Sequence, residues 1–265
     1  MNGLFISGTD TDVGKTALSA LLLAEIRRRG THAAPMKPAQ TGCERKSETG
    51  NLKLEERKGT QFQVSSFKSQ VSPLSVPDLD YSLSMASMEV SAEDYANMSA
   101  YKFEPACSPH LAAEMAGTEI DIAEMVIAAR TLADTYELIL AEGAGGLIVP
   151  LNRRETMLDL MQAFKFPVLL AARPGLGTIN HTLLSIRTLR SEGLEIAGVV
   201  FMATTNAERT FIEEDNGATI EQFGKVPILG TIPYCAQLAD PAPKFDDLPI
   251  PVVAEIEKIV NQLGI

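Results

Sequence analysis

An apolar run, a short loop and a helix start commit this chain to an α/β architecture from its first turn. Leu4-Phe5-Ile6 reads as a buried strand, and Ala17 to Ile26 as an alanine- and leucine-rich helix. Gly8-Thr9-Asp10-Thr11-Asp12-Val13-Gly14-Lys15-Thr16 joins them. A glycine-bearing loop that opens a helix aims several backbone N–H groups at one spot, where the aligned peptide dipoles also favour negative charge. Lys15 adds a cation of long reach, and Thr16 a hydroxyl of the kind that ligates Mg²⁺ beside a polyphosphate. Five residues separate Gly8 from Gly14, where the common pattern has four, and Thr9 stands where that pattern has glycine. The strand–loop–helix context and Gly14-Lys15-Thr16 still read as a phosphate site.

The alternation continues along the chain. Gly3–Ser7, Ala33–Lys37, Glu137–Ala141, Pro167–Ala171, Ile196–Phe201 and Pro227–Thr231 read as buried strands. Ala17–Arg29, Ile122–Thr135, Thr178–Glu192, Ala207–Phe223 and Val252–Leu263 read as helices. Continuous apolar strands between amphipathic helices predict a mostly parallel sheet with helices on both faces. Ligands bind such sheets at the carboxyl ends of their strands. With 265 residues, 45% of them hydrophobic, the chain suffices for a single nucleotide-binding α/β domain over residues 1–265. The stretch from about 44 to 108 is rich in Ser, Met, Lys and Glu. It reads as an irregular excursion with helical pieces, either a cover for the site or a surface insertion.

A net charge of −11 argues against nucleic acid as a partner, which calls for a basic footprint. Loop amides and a few lysines can still make a local anion site. Cys43, Cys107 and Cys235 are too widely spaced for a zinc or disulfide framework and fit reduced thiols in a cytoplasm. No signal peptide is visible, and the longest apolar stretch, around Leu138 to Leu151, is broken by Glu142 and three glycines, so no membrane span is expected.

Two further motifs end predicted strands. Lys37-Pro38-Ala39-Gln40-Thr41-Gly42 places a lysine beside the phosphate loop, where it can meet an anion or snorkel to solvent. Glu142-Gly143-Ala144-Gly145-Gly146 places an acid where Mg²⁺ is expected, with a general base as the other reading.

With Ser108-Pro109-His110-Leu111-Ala112-Ala113, Ala172-Arg173-Pro174-Gly175-Leu176-Gly177-Thr178-Ile179-Asn180-His181 and Gly230-Thr231-Ile232-Pro233-Tyr234, these stretches resemble the dethiobiotin synthase family, in order and over nearly the whole chain. The resemblance implies a three-layer P-loop NTPase-like fold, working as a homodimer. It implies ATP-dependent, Mg²⁺-dependent ring closure of 7,8-diaminononanoate with CO₂ through a carbamate and a carbamic-phosphoric anhydride, in biotin biosynthesis. By the same resemblance Lys15, Lys37 and Thr11 are catalytic, and Thr41, Gly145, Gly177, Thr178 and Asn180 bind substrate. Asp12, Val13, Gly14, Lys15, Thr16, Ala17, Glu142 and Pro233 hold the nucleotide. Thr16, Glu142 and an aspartate from Asp78-Leu79-Asp80 hold the metal; spacing to Tyr101-Lys102-Phe103 favours Asp80, with Asp78 open. His110 and His181 read as structural, since nothing pairs them with a nucleophile.

Met202 departs from the family, which commonly has an asparagine there that reads adenine, so other nucleoside triphosphates are expected to serve as well as ATP. Two rivals share the architecture. A corrin amide ligase usually adds a glutamine-hydrolysing domain, for which this length leaves no room. A partitioning-type switch ATPase carries a lysine where this chain has Asp10, and the amphipathic 252–260 stretch is not basic enough for its membrane tail.

Overall fold

The computed structural model describes residues 1–45, 74–206 and 210–265. In chain order the elements are β1 (Gly3–Gly8), α1 (Lys15–Arg28), β2 (Ala33–Met36), β3 (Ala39–Thr41), β4 (Glu44–Arg45) and β5 (Leu74–Ser75). Then come α2 (Pro77–Met85), α3 (Ala92–Met98), β6 (Tyr101–Phe103), α4 (Pro109–Met115), α5 (Ile122–Ala133), β7 (Leu138–Gly146) and α6 (Met157–Phe164). The chain closes with β8 (Val168–Ala172), α7 (Thr178–Ser191), β9 (Ile196–Met202), α8 (Phe211–Gly224), β10 (Ile228–Ile232) and α9 (Ile250–Leu263).

The main sheet runs β10-β9-β8-β1-β7-β2 and every pairing in it is parallel. Its strands carry apolar side chains on both faces. Leu4, Ile6, Leu138, Leu140 and Leu169 point to one layer, shared with α1 and α9. Phe5, Ile139, Ala141 and Leu170 point to the other, shared with α5, α6 and α8. The period of two along each strand thus makes two cores, and the expected three-layer arrangement is the observed one. Among the described residues no helix is long and apolar enough to cross a membrane.

All six predicted main strands are present. The structure departs from expectation in detail. Ala207 lies outside the described residues, and α8 begins at Phe211. Residues 46–73 of the 44–108 excursion also lie outside them, while its remainder carries α2, α3 and β6. Helix α2 packs on α1 through buried Met85 with Tyr81 and Ala86, while Leu79 and Leu83 join the core around Met36, which brings its first turn to the carboxyl end of the sheet. The small parallel pair β3–β6 holds the segment after Lys37 beside it.

Close packing at the N-terminal end gives a stability prediction. A Cβ on Gly3 would overlap the ring of Phe166, which is 2% exposed and cannot retreat. Gly3→Ala is expected to lower unfolding free energy by about 1–3 kcal/mol, read by urea denaturation; an unchanged midpoint would show that the ring is free to move.

Candidate active site

Helix α1 starts at Lys15 directly after the loop, with Gly14 at φ 91° and no side-chain cap, so its first N–H groups are left for a ligand. A Cβ on Gly14 would also collide with the side chain of Met202 below it. Asp12 too takes a left-handed conformation, φ 55°, which a short polar side chain tolerates better than most. The loop therefore keeps its shape with fewer glycines than usual.

Thr11, Asp12, Gly14, Lys15, Thr16 and Ala17 form one wall of a cavity of about 490 Å³. The opposite wall holds Lys37, Ala39, Gln40, Thr41, Asp78, Tyr81, Glu142 and Gly145. Lys37 follows β2 and is 5% exposed; its ammonium contacts Asp78 Oδ2 at 2.6 Å and Glu142 Oε1 at 2.7 Å, and donates to the Gly143 carbonyl at 3.2 Å. Lys15 donates to the Asp10 carbonyl at 2.8 Å. Thr16 donates to Glu142 Oε1 at 2.8 Å. Glu142 lies within β7, which runs on to Gly146, so the acid is fixed by strand hydrogen bonding and does not stand past a strand end at Ala141, where it was expected.

Burial opposes charge on all three central groups, and the neighbours decide the outcome. It pushes the Lys15 pKa down, and the nearby Lys37 charge adds to that. Burial alone would also lower Lys37, but the Glu142 and Asp78 carboxylates outweigh it and hold its pKa above the ordinary lysine value. Glu142 is pushed up by burial and by the second carboxylate at Asp78, against the pull of Lys37 and Thr16.

Asp78, the alternative left open beside the favoured Asp80, is the aspartate that meets Lys37. Asp80 accepts from the Tyr95 hydroxyl at 2.7 Å and does not line this cavity; Asp78 does. Residues two apart on a helix point about 200° away from each other, so only one of the pair can face Lys37. Tyr81, one turn after Asp78 on the same face, also lines the cavity and donates to the Leu238 carbonyl at 2.9 Å. Both Tyr81 and Gln40 escaped attention in the sequence. Gln40 lies within the motif that begins at Lys37, and Tyr81 stands out only once the helical phase of Asp78 is known.

Other expected site residues stand apart. Gly177 and Thr178 line a neighbouring cavity of about 330 Å³ with Arg173 and the back of the phosphate loop. Asn180 is exposed on a shallower surface with Leu183, Leu184 and Arg187. Val13 is buried beneath the loop, and Pro233, after β10, is not on the cavity wall.

The donor set suits a hard divalent cation. Asp78, Glu142 and Thr16 offer only oxygen, beside the loop where a polyphosphate would bind, and both carboxylates already converge on one positive charge, the Lys37 ammonium. Among the described residues no group of three His, Cys, Asp or Glu side chains gathers. Two carboxylates and a hydroxyl leave places for phosphate oxygens and water, as Mg²⁺ prefers.

A family model described as an AAA domain matches residues 2–242. The chain is 34% identical over 229 residues to the ATP-dependent dethiobiotin synthetase BioD of Lysinibacillus sphaericus (strain C3-41), covering 86% of this chain and 85% of that one. It is 38% identical over 244 residues to the protein of the same name from Anaeromyxobacter dehalogenans (strain 2CP-C), covering 90% and 93%. Among solved structures, the septum site-determining protein MinD from Pyrococcus horikoshii, complexed with Mg-ADP, aligns over 99% of this chain and 95% of its own with a TM-score of 0.59. At 14% identity that likeness shows the fold alone. The phosphate loop, the parallel sheet and these relatives agree on an ATP-dependent cyclo-ligase built on a P-loop fold, and the chain belongs to the ATP-dependent dethiobiotin synthetase family.

Proposed function

We propose that this protein joins CO₂ to 7,8-diaminononanoate at the expense of ATP, giving dethiobiotin, ADP and phosphate. One amine takes up CO₂ as a carbamate and releases a proton. A carbamate oxygen attacks the γ-phosphorus, and ADP departs. The second amine then attacks the carbonyl carbon of the carbamic-phosphoric anhydride, expels phosphate, loses a proton and closes the ureido ring.

One observation carries this reading: two buried lysines, Lys15 and Lys37, line one cavity at the mouth of the phosphate loop. Attack of a carbamate on a triphosphate brings two anions together, so the site must quench charge on both and hold them in line. Lys15 serves the triphosphate from inside the loop. Lys37 reaches from the other wall, towards the carbamate and the phosphoryl in transfer. Thr11 and Thr41 stand on either side with hydroxyls for the carbamate or its amines. The substrate supplies both nucleophiles, so no activated serine or cysteine is needed. Thr16, Glu142 and Asp78 would hold Mg²⁺, which supplies positive charge to the phosphate oxygens when bound.

The same reading gives the α7 end a task. Gly177, Thr178 and Asn180 lie outside the nucleotide cavity of their own chain, beside the fully exposed Leu176 and the exposed Leu184. A homodimer would bring that helix N-terminus to a second copy's substrate, where it suits the distal carboxylate. Residues 1–265 then act as a single nucleotide-binding unit within each subunit, in a cytoplasmic setting.

Met202 is 4% exposed and packed beneath Gly14, and its thioether offers no paired donor and acceptor for a base edge. Catalytic efficiencies with ATP, GTP and CTP are therefore expected to lie within about tenfold, since a bidentate base contact is worth roughly 1–3 kcal/mol. Strict ATP preference in steady-state assays would refute this.

The deciding experiment incubates purified protein with 7,8-diaminononanoate, bicarbonate, Mg²⁺ and ATP, and assays the ureido product. Product formation, with nucleotide hydrolysis dependent on the diamine, is expected. Hydrolysis indifferent to the diamine would point to a switch ATPase instead.

A further inference from the structure

Gln40 is the middle residue of β3 and is 8% exposed. Its carboxamide Nε2 donates to the Thr41 carbonyl at 2.8 Å. Its Oε1 is closed to solvent and has no hydrogen-bond partner among the described residues. Flipping the amide would set two oxygens face to face, so Thr41 fixes which end is left unpaired. Among the described residues four buried side-chain atoms are orphaned in this way: Ser7 Oγ, Ser19 Oγ, Gln40 Oε1 and His110 Nδ1. Gln40 is the one whose residue lines the cavity of Lys15, Lys37 and Glu142. A buried acceptor without a donor is costly and calls for an explanation.

We infer that Gln40 is a specificity-determining residue for the amine end of the substrate, its Oε1 accepting a hydrogen bond from a substrate N–H. The inference rests on the reading that a diamine enters this cavity. The charged groups there are poorly suited to an N–H, which leaves the Thr11 and Thr41 hydroxyls and the Gln40 carboxamide as the neutral acceptors. Lys15 and Lys37 are donors only, and Glu142 and Asp78 are engaged by Lys37. A neutral amide oxygen can orient an amine while leaving its lone pair for attack. A carboxylate in the same place would favour the unreactive ammonium. The terminal torsion of a glutamine is broad, so a rotation that gives up the Nε2–Thr41 hydrogen bond can bring Oε1 to a ligand without displacement of β3.

Two variants of the full chain test this, Gln40→Met and Gln40→Glu. Three quantities are read: KM for 7,8-diaminononanoate at saturating ATP, ADP affinity by calorimetry, and melting temperature. Gln40→Met removes the orphan and is expected to melt higher, to bind ADP within about twofold of wild type, and to raise the diamine KM about tenfold, the loss of one hydrogen bond. Gln40→Glu keeps an acceptor, so its diamine KM stays level or falls, while kcat drops about tenfold as the amine is held protonated. Unchanged diamine KM in Gln40→Met overturns the inference. So does a parallel loss of melting temperature and ADP affinity, the mark of a structural role. Wild-type protein that converts no diamine overturns the functional reading and this inference with it, whereas an active wild type with an indifferent Gln40→Met ends this inference alone.

Discussion

Lys37→Met is expected to cut turnover by two orders of magnitude or more, a loss of about 3 kcal/mol of transition-state stabilisation. The ammonium is buried between two walls of the cavity, and no other cation is held on its side by Asp78 and Glu142 among the described residues. A methionine keeps much of the length and removes the charge. The folded state suffers too. With Lys37 gone, Glu142 at 4% exposure and the half-buried Asp78 face each other without a counter-charge. Breaking a buried pair from one side costs roughly 3–5 kcal/mol, and the partial exposure of Asp78 places this case towards the lower end. A divalent cation should restore part of that loss by taking the same place between the carboxylates. Steady-state kinetics with saturating diamine and ATP, and urea denaturation with and without Mg²⁺, check the two parts separately. Near-normal turnover would remove Lys37 from the chemistry. Equal stability in both proteins would mean that its ion pairs contribute nothing net.

The second large effect separates two aspartates that differ by two positions. Asp78→Asn is expected to raise the Mg²⁺ concentration for half-maximal activity by about tenfold or more, because an amide is a weaker ligand than a carboxylate for a hard cation. Asp80→Asn should leave that requirement within about twofold. It weakens a hydrogen bond from Tyr95, whose hydroxyl also accepts from the Val76 backbone at the start of α2, so its cost is about 1–2 kcal/mol of stability. Mg²⁺ titrations of activity and denaturation curves of both variants make the comparison. A raised requirement in Asp80→Asn with none in Asp78→Asn would reverse the assignment.

Much of the fold was legible because its signals are local. Leu4-Phe5-Ile6 before a glycine-bearing loop, and the apolar runs at Leu138, Val168, Val199 and Ile228, identify strands without knowledge of their neighbours. Pairing order is another matter. That β1 lies between β7 and β8 follows from crossovers spanning most of the chain. The region after Thr41 was hardest to read. Its helices are short, and their burial depends on packing against α1 and α5. In the site, Lys15, Thr16, Lys37, Thr41 and Glu142 came from motif positions and do share one cavity. Gly177, Thr178 and Asn180 came from an equally clear motif yet lie elsewhere on the chain's own surface.

By themselves, the residues determined that a phosphate loop would join a buried strand to a helix, and that lysines and an acid would gather at one end of a parallel sheet. Backbone N–H groups, periodic apolar side chains and loop glycines act over a few residues, so they can be read in line. Only the tertiary structure decided that Asp78 and not Asp80 meets Lys37, that Gln40 keeps an unpaired oxygen, and that Met202 hides under the loop. Each depends on the rotation of an element about its own axis. That rotation is set by which apolar faces pack against distant partners, here Met85 against α1 and Leu79 and Leu83 in the core around Met36.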